Sequence, residues 1–161
     1  MKKYNVGLLI GRFQPFHKGH LYLLNKSFEY VDKLIIGIGS SNVKNEENFL
    51  DFATRKKMLE KVFKEEGLEK RLLRIVAIPD VPDDDQWLKI VKKEIGTFDV
   101  SIGKNEWTNG IFENAGITVL RIPYYKRYLY EGTKIRSLMR NKKPFIQRLP
   151  LYLASFIKLN K

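Results

Sequence analysis

Val6-Gly7-Leu8-Leu9-Ile10, running into Gly11-Arg12-Phe13-Gln14-Pro15-Phe16-His17-Lys18-Gly19-His20, is the stretch on which the fold turns. The opening apolar run, closed by a glycine, reads as a strand covered on both faces. From Gly19 onward, Leu21, Leu24, Phe28 and Val31 recur at i, i+3, i+7 and i+10, the spacing of one helix face. A buried strand handing over to a helix through a short loop is the first half of a strand–helix–strand unit.

The same alternation continues along the chain. Residues 34–38 form the next strand, closed by Gly39, and a helix starts near Asp51 with Phe52, Met58, Leu59, Val62 and Phe63 inward and Gly67 as its stop. Residues 73–78 make a third strand ended by Pro79 and Pro82. Asp83-Asp84-Asp85 then sits where a helix dipole favours negative charge, followed by apolar Trp87, Leu88, Val91 and Ile95. Residues 100–102 and 118–122 read as strands four and five, with a short helix at 110–114 between them. Further helices are expected at 133–140 and 145–159. Parallel neighbours need crossover connections of this length. The expected architecture is therefore α/β: a Rossmann-like, doubly wound, parallel five-stranded sheet with C-terminal helices, one domain over residues 1–161. Such sheets bind ligands beyond the carboxyl ends of their strands, which directs attention to the loops after strands one, two, three and five.

Composition narrows the classes. With 43% hydrophobic and 30% charged residues the chain is an ordinary globular sequence rather than a disordered one. No apolar run approaches the roughly 18 residues that span a bilayer. Met1-Lys2-Lys3-Tyr4 leads straight into the first strand without the pattern of a signal peptide. There is no cysteine, so disulfides, thiolate metal sites and a cysteine nucleophile are excluded, and a cytoplasmic location is expected. The net charge of +12 fits an electrostatic surface for nucleic acid, steering of small polyanions, or simply solvated lysine-rich helix faces. No RNA-binding or helix-turn-helix signature accompanies it, and neither a nucleic-acid nor a membrane partner is expected.

Both histidines of the chain, His17 and His20, fall in the first strand–helix loop, three residues apart. Positions i and i+3 of a first helical turn share a face, so both imidazoles can aim at one point above a helix N-terminus, where free N–H groups favour an anion. Gly19 spares the space that a ligand phosphate needs near the backbone, and Arg12 adds a permanent cation. Far along the chain, Glu131-Gly132-Thr133-Lys134-Ile135-Arg136 opens another helix. Gly132 permits a tight turn, Thr133 can cap, and Arg136, one turn on, can offer a planar fork of donors to the same anion.

His-x-Gly-His after a buried strand, with Gly-Arg-Phe ahead of it, resembles the HxGH nucleotidylyltransferase superfamily. Gly11 to His20 is similar to the signature of archaeal-type nicotinamide-nucleotide adenylyltransferases, and Gly132-Thr133 with Arg136 to their second signature. The resemblance implies adenylyl transfer from ATP to nicotinamide mononucleotide, giving NAD and pyrophosphate, with Mg²⁺ accompanying ATP. It implies that His17 and His20 bind the ATP phosphates and stabilise the pentacoordinate α-phosphorus, with Arg136 and Arg55 as further catalytic cations. Gly11, Arg12, Phe13, Gly19, Ser40, Lys44, Asn105, Arg127, Gly132 and Thr133 would contact the nucleotide, and Asp80 and Trp87 the acceptor, Trp87 by stacking on its ring. The chain departs from the pattern at Glu131, where serine is usual and where the carboxylate is expected to point away, and at Thr54, where glutamate commonly precedes the arginine. Arg55 can alternatively pair with glutamates in solvent, and Trp87 can belong to the core stripe with Leu88 and Val91. Nicotinic acid mononucleotide, flavin mononucleotide and phosphopantetheine are rival acceptors, cytidylyl transfer a rival reaction, and a non-catalytic nucleotide or nucleic-acid binder a rival class. A homo-oligomer is expected, with Leu151, Leu153, Phe156 and Ile157 in its interface or in the core.

Overall fold

A computed structural model describes residues 3–159; Met1, Lys2, Asn160 and Lys161, the ends of the expected 1–161 span, lie outside the described residues. In chain order the elements are β1 (Tyr4–Gly11), α1 (Lys18–Ser27), β2 (Val31–Ile38), α2 (Phe52–Glu65), β3 (Leu72–Ala77), α3 (Asp84–Ile95), β4 (Val100–Gly103), α4 (Glu106–Asn114), β5 (Val119–Arg121), α5 (Gly132–Arg140) and α6 (Ala154–Leu159). All strand pairs are parallel, in the order β3-β2-β1-β4-β5. The expected Rossmann-like sheet is what the chain builds.

Alternate side chains of each central strand enter opposite layers, as the two-residue strand period requires. Leu9 of β1 and Leu34 and Ile36 of β2 join Leu24, Met58, Leu59, Val62 and Phe63 in a core under α1 and α2. Leu8 and Ile35 face the other way, into a core with Val91, Ile95 and Phe112 from α3 and α4. Both faces are buried against apolar side chains, so β1 and β2 read as continuous apolar runs rather than alternating ones.

Several expected boundaries move for identifiable reasons. Helix α1 stops at Ser27, so Val31 belongs to β2 rather than to the helix face, and Leu23 is buried beside Leu24. Helix α4 begins at Glu106, four residues earlier than expected, because the Asn105 side chain accepts the Thr108 N–H at 3.1 Å and caps it. The helix expected over 145–159 is broken into 3₁₀ turns at Ile146–Arg148 and Leu151–Leu153 before α6. Pro150, between the turns, has no N–H to continue a helical ladder. Of the C-terminal apolar residues, Leu153 and Ile157 are core, Phe156 packs against it, and Leu151 is 76% exposed. No helix among the described residues is long and apolar enough to cross a membrane.

Strand order reverses between β1 and β4, whose neighbours lie on opposite sides. The connections leaving those two carboxyl ends diverge and open a crevice, the usual ligand position in such sheets. The loop after β4 thus belongs with the site, although strand pattern alone singled out the loops after strands one, two, three and five and only Asn105 was expected there to contact nucleotide.

Candidate active site

At the β1 side of that crevice, residues 12–17 turn tightly before α1. Phe13 takes a left-handed backbone (φ 52°), and its ring packs on the Cα of Gly11, where an added Cβ would lie 2.7 Å from the ring. Gln14 is buried and clamps the turn to the chain before α2: its amide donates to the Leu50 carbonyl and accepts from the Leu50 N–H, both at 2.9 Å. His17 is the N-cap of α1. Its Nδ1 accepts the Gly19 N–H at 3.1 Å, and Nδ1 of His20 accepts the His17 N–H at the same distance. The two rings stack at 3.7 Å between centroids, with the Phe13 ring edge-on to His20 at 4.9 Å.

Gly19 was expected to spare room for a phosphate. The protein itself also approaches closely there, since an added Cβ would meet the His17 ring at 2.9 Å and the Tyr130 side chain at 3.0 Å. The missing side chain lets His17 fold back onto its own helix.

Because each Nδ1 is spent as an acceptor, the neutral rings carry their proton on Nε2, which leaves one Nε2–H donor per ring. Burial, and then the charges of Lys104 and Arg136, lower the His17 pKa to about 3. Burial, His17, Lys104 and Arg136 push His20 well below its usual value. In the free protein at neutral pH the pair therefore acts as neutral hydrogen-bond donors, and the positive charge of the site resides on arginine and lysine.

This has a consequence for stability. In the unfolded chain His17 titrates near 6.5, but in the fold only near 3, so lowering the pH protonates the unfolded state first. Stability should be level above about pH 6.5 and fall below it, by about 2 kcal/mol at pH 5 from His17 alone. Urea unfolding at pH 7 and pH 5 of the wild type and of His17→Asn, which keeps a capping side chain, checks this. A wild-type midpoint indifferent to that interval would contradict it.

The opposite wall is α5. Gly132 opens that helix, with Glu131 at the N-cap and no side-chain cap; Thr133, expected to cap, lies inside the helix, and its hydroxyl accepts from Arg136 at 3.4 Å. Arg136 is buried. It donates from Nη1 to the Gln14 carbonyl at 2.9 Å and pairs through Nη2 with Glu47 at 2.6 Å. An added Cβ at Gly132 would come within 2.8 Å of the guanidinium, so this glycine makes space for the arginine. Arg12, Phe13, Gln14, His17, His20 and the Glu131–Thr133 turn with Arg136 enclose a cavity of about 180 Å³. That is below the ~300 Å³ of a typical whole-ligand pocket and suited to phosphate groups. It lies between the N-termini of α1 and α5, so two helix dipoles favour an anion there. Glu131, the N-cap of α5, lines this wall, and its carboxylate pairs with the exposed Arg127 at 3.1 Å.

Other expected residues stand elsewhere. Arg55, expected to face phosphates, is fully buried and donates to four backbone carbonyls: Gly39 at 2.7 Å, Arg12 at 2.9 Å, Asp51 at 3.3 Å and Ser40 at 3.4 Å. It ties the loops after β1 and β2 together beneath the site. Ser40 donates its hydroxyl to the Asp80 carboxylate at 2.9 Å, and Asn42 brackets the Asp80 backbone, so both residues form a ledge beyond β2 and β3. Lys44 is exposed on the loop that follows. Asn105 spends its side-chain oxygen on the α4 cap. Trp87 is 5% exposed and packs on Phe112, with Trp107 tilted over it at 5.8 Å; neither Asp80 nor Trp87 borders the histidine cavity. The sequence reading missed two charged residues. Glu47 sits in an unpatterned polar loop 89 residues from its partner Arg136, and Lys104 is the first residue past β4.

The comparisons with known proteins agree with this geometry. Residues 8–138 match the family model described as cytidylyltransferase-like. The chain is 34% identical over 94% of its length to a nicotinamide-nucleotide adenylyltransferase of Thermococcus onnurineus, covering 81% of that protein. It is 33% identical to one of Ignicoccus hospitalis, covering 94% of this chain and 90% of that one. A crystal structure of a bifunctional NMN adenylyltransferase/ADP ribose pyrophosphatase from Francisella tularensis, complexed with AMP and a manganese ion, superposes with a TM-score of 0.73 at 27% identity. The match covers 91% of this chain but only 44% of that one. With a parallel sheet of the right order, a stacked histidine pair at its switch point and an arginine closing in from α5, the chain belongs to the cytidylyltransferase-like family and, within it, to the nicotinamide-nucleotide adenylyltransferases.

Proposed function

We infer that this protein transfers the adenylyl group of ATP to nicotinamide mononucleotide, releasing pyrophosphate and forming NAD. The observation that carries the reading is the convergence of His17, His20 and Arg136 on one phosphate-sized cavity between two helix N-termini.

The acceptor phosphate is already anionic, so its oxygen attacks the α-phosphorus without a strong general base. The bond from that phosphorus to the oxygen bridging to the β-phosphate breaks, and pyrophosphate leaves with the electron pair. Catalysis is then positioning and charge stabilisation. The Nε2–H groups of His17 and His20 donate to the oxygens of the α-phosphate as charge builds there. Arg12, Arg136 and the open N–H groups of α5 take the departing pyrophosphate. Arg55 acts beneath them by holding the loops that carry Arg12 and Ser40. The acceptor side is assigned to the ledge past β3, with Asp80 fixed by Ser40 and Asn42, and to Trp87 in the first turn of α3. Among the described residues no three His, Asp or Glu side chains gather to hold a metal. A divalent cation, Mg²⁺ in this proposal, would be carried by the phosphate oxygens of ATP and neutralise part of their charge.

The test is direct. Protein, ATP, Mg²⁺ and nicotinamide mononucleotide should yield NAD and pyrophosphate in equal amounts, followed by coupled alcohol dehydrogenase absorbance. Turnover only with nicotinic acid mononucleotide or another acceptor would overturn the substrate, and salt-dependent duplex binding without any turnover would overturn the reaction.

A further inference from the structure

The crevice is flanked by the ends of two strands, and the loop that carries the histidines leaves only one of them. On the other, β4 ends at Gly103 and delivers Lys104 at the point where strand order reverses, opposite Arg12 past β1. Its ammonium lies 4.6 Å above the Tyr124 ring, and the Arg127 guanidinium lies 4.1 Å from the same ring. The ring contact is the only partner of the Lys104 ammonium among the described residues: no carboxylate pairs with it and no hydrogen-bond acceptor receives it. Arg127 is satisfied by Glu131 and Lys104 is not. Two cations brought to one aromatic ring, one half-buried and without a counter-ion, repel each other until an anion sits beside them. The charge of Lys104 also acts on His17 and His20, alongside that of Arg136, in lowering their pKa values.

We propose that Lys104 is a catalytic residue that binds the triphosphate of ATP from the β4 side of the crevice while the histidines bind it from the β1 side. The proposal rests on the adenylyl-transfer reading and adds to it the cation that neutral imidazoles cannot supply. Burial, reinforced by Arg127, lowers the Lys104 pKa to about 8, a condition that bound phosphate would relieve. The charged and titratable groups around it are Arg127 after β5 and His17 and His20 on α1, with the Tyr124 ring beneath it. Glu106, two residues on, is already taken by Arg121 and Asn109.

Lys104→Met keeps the length and the apolar stem of the side chain. It should lower kcat/KM for ATP about thirtyfold, the scale of one charge-assisted hydrogen bond, and weaken calorimetric binding of Mg·ATP to match. In the wild type, kcat/KM for ATP should fall as pH rises through about 8, because the free protein loses the ammonium. Lys104→Arg should recover most of the activity and carry that alkaline limb upward, since a guanidinium stays charged. Lys104→Met within threefold of wild type, or a loss that Lys104→Arg does not recover at any pH, overturns the proposal. A wild type that binds Mg·ATP but makes no dinucleotide removes the adenylyl-transfer reading instead, and the calorimetric comparison still decides whether Lys104 holds phosphate.

Discussion

His20→Ala should retain the fold and lose at least about a hundredfold in turnover, the scale of deleting one donor aimed at transition-state charge. Its Nδ1 accepts the His17 N–H at 3.1 Å while its ring stacks on His17 at 3.7 Å, so the side chain both donates and orients. Removing it withdraws one Nε2–H and also releases the ring of its neighbour. His20→Asn separates the two effects. An asparagine oxygen can accept the same backbone N–H and its amide can donate, so this variant should recover part of the loss. The fall should appear in kcat rather than in KM for ATP, because the interaction strengthens only as charge develops. Steady-state NAD formation for the three proteins gives the comparison. A His20→Ala enzyme turning over within threefold of wild type would remove the histidine pair from the mechanism and leave the cavity as a plain anion site.

Sheet and site differ in how far they could be read from the sequence, and particular residues show why. The parallel sheet was legible because Val6 to Ile10 and Leu34 to Ile38 are uninterrupted apolar runs, which only strands covered on both faces maintain. The histidine pair was legible because its partners are local: both imidazoles bond to backbone within three residues of themselves. Arg136 was found through the resemblance of Gly132-Thr133 and Arg136 to the family's second signature, although the Thr133 cap expected there does not form. What escaped depends on contacts distant in sequence. Glu47 meets Arg136 across 89 residues, and nothing in a loop of mixed polar residues marks which carboxylate will do so. Lys104 gains its surroundings only when strand order is known, because β4 must lie beside β1 before its first loop residue can face the histidines. Strand order is a property of long-range pairing and leaves no local periodicity. The single glycine at 110 likewise concealed the first turn of α4, whose start is set by the Asn105 cap.

Arg55 exposes the same boundary from the other direction, since its position in the sequence suggested contact with phosphate and the fold puts it to different use. A guanidinium with no solvent exposure, bonded to the carbonyls of Arg12, Gly39, Ser40 and Asp51, is the tie between the loops leaving β1 and β2. Arg55→Met preserves much of the volume but leaves the buried carbonyls of Arg12 and Gly39 without their donor, while those of Asp51 and Ser40 keep the backbone N–H groups of residue 55 and Val43. Each unsatisfied buried group costs about 1–3 kcal/mol, so the variant should unfold with about 3 kcal/mol less free energy, with some relief where water enters. Urea unfolding, followed in parallel with Mg·ATP titration of the folded fraction at low temperature, reads the two roles separately. A structural tie predicts a large drop in midpoint and ATP affinity within about fivefold of wild type, the residue of a loosened Arg12 loop. A variant as stable as wild type that has lost ATP affinity would return Arg55 to the phosphates. The distinction matters for the mechanism, because a cation beneath the floor organises the anion site without titrating, moving or being displaced by substrate. The groups that meet ATP are then neutral imidazoles together with the cations of Arg12, Arg136 and Lys104.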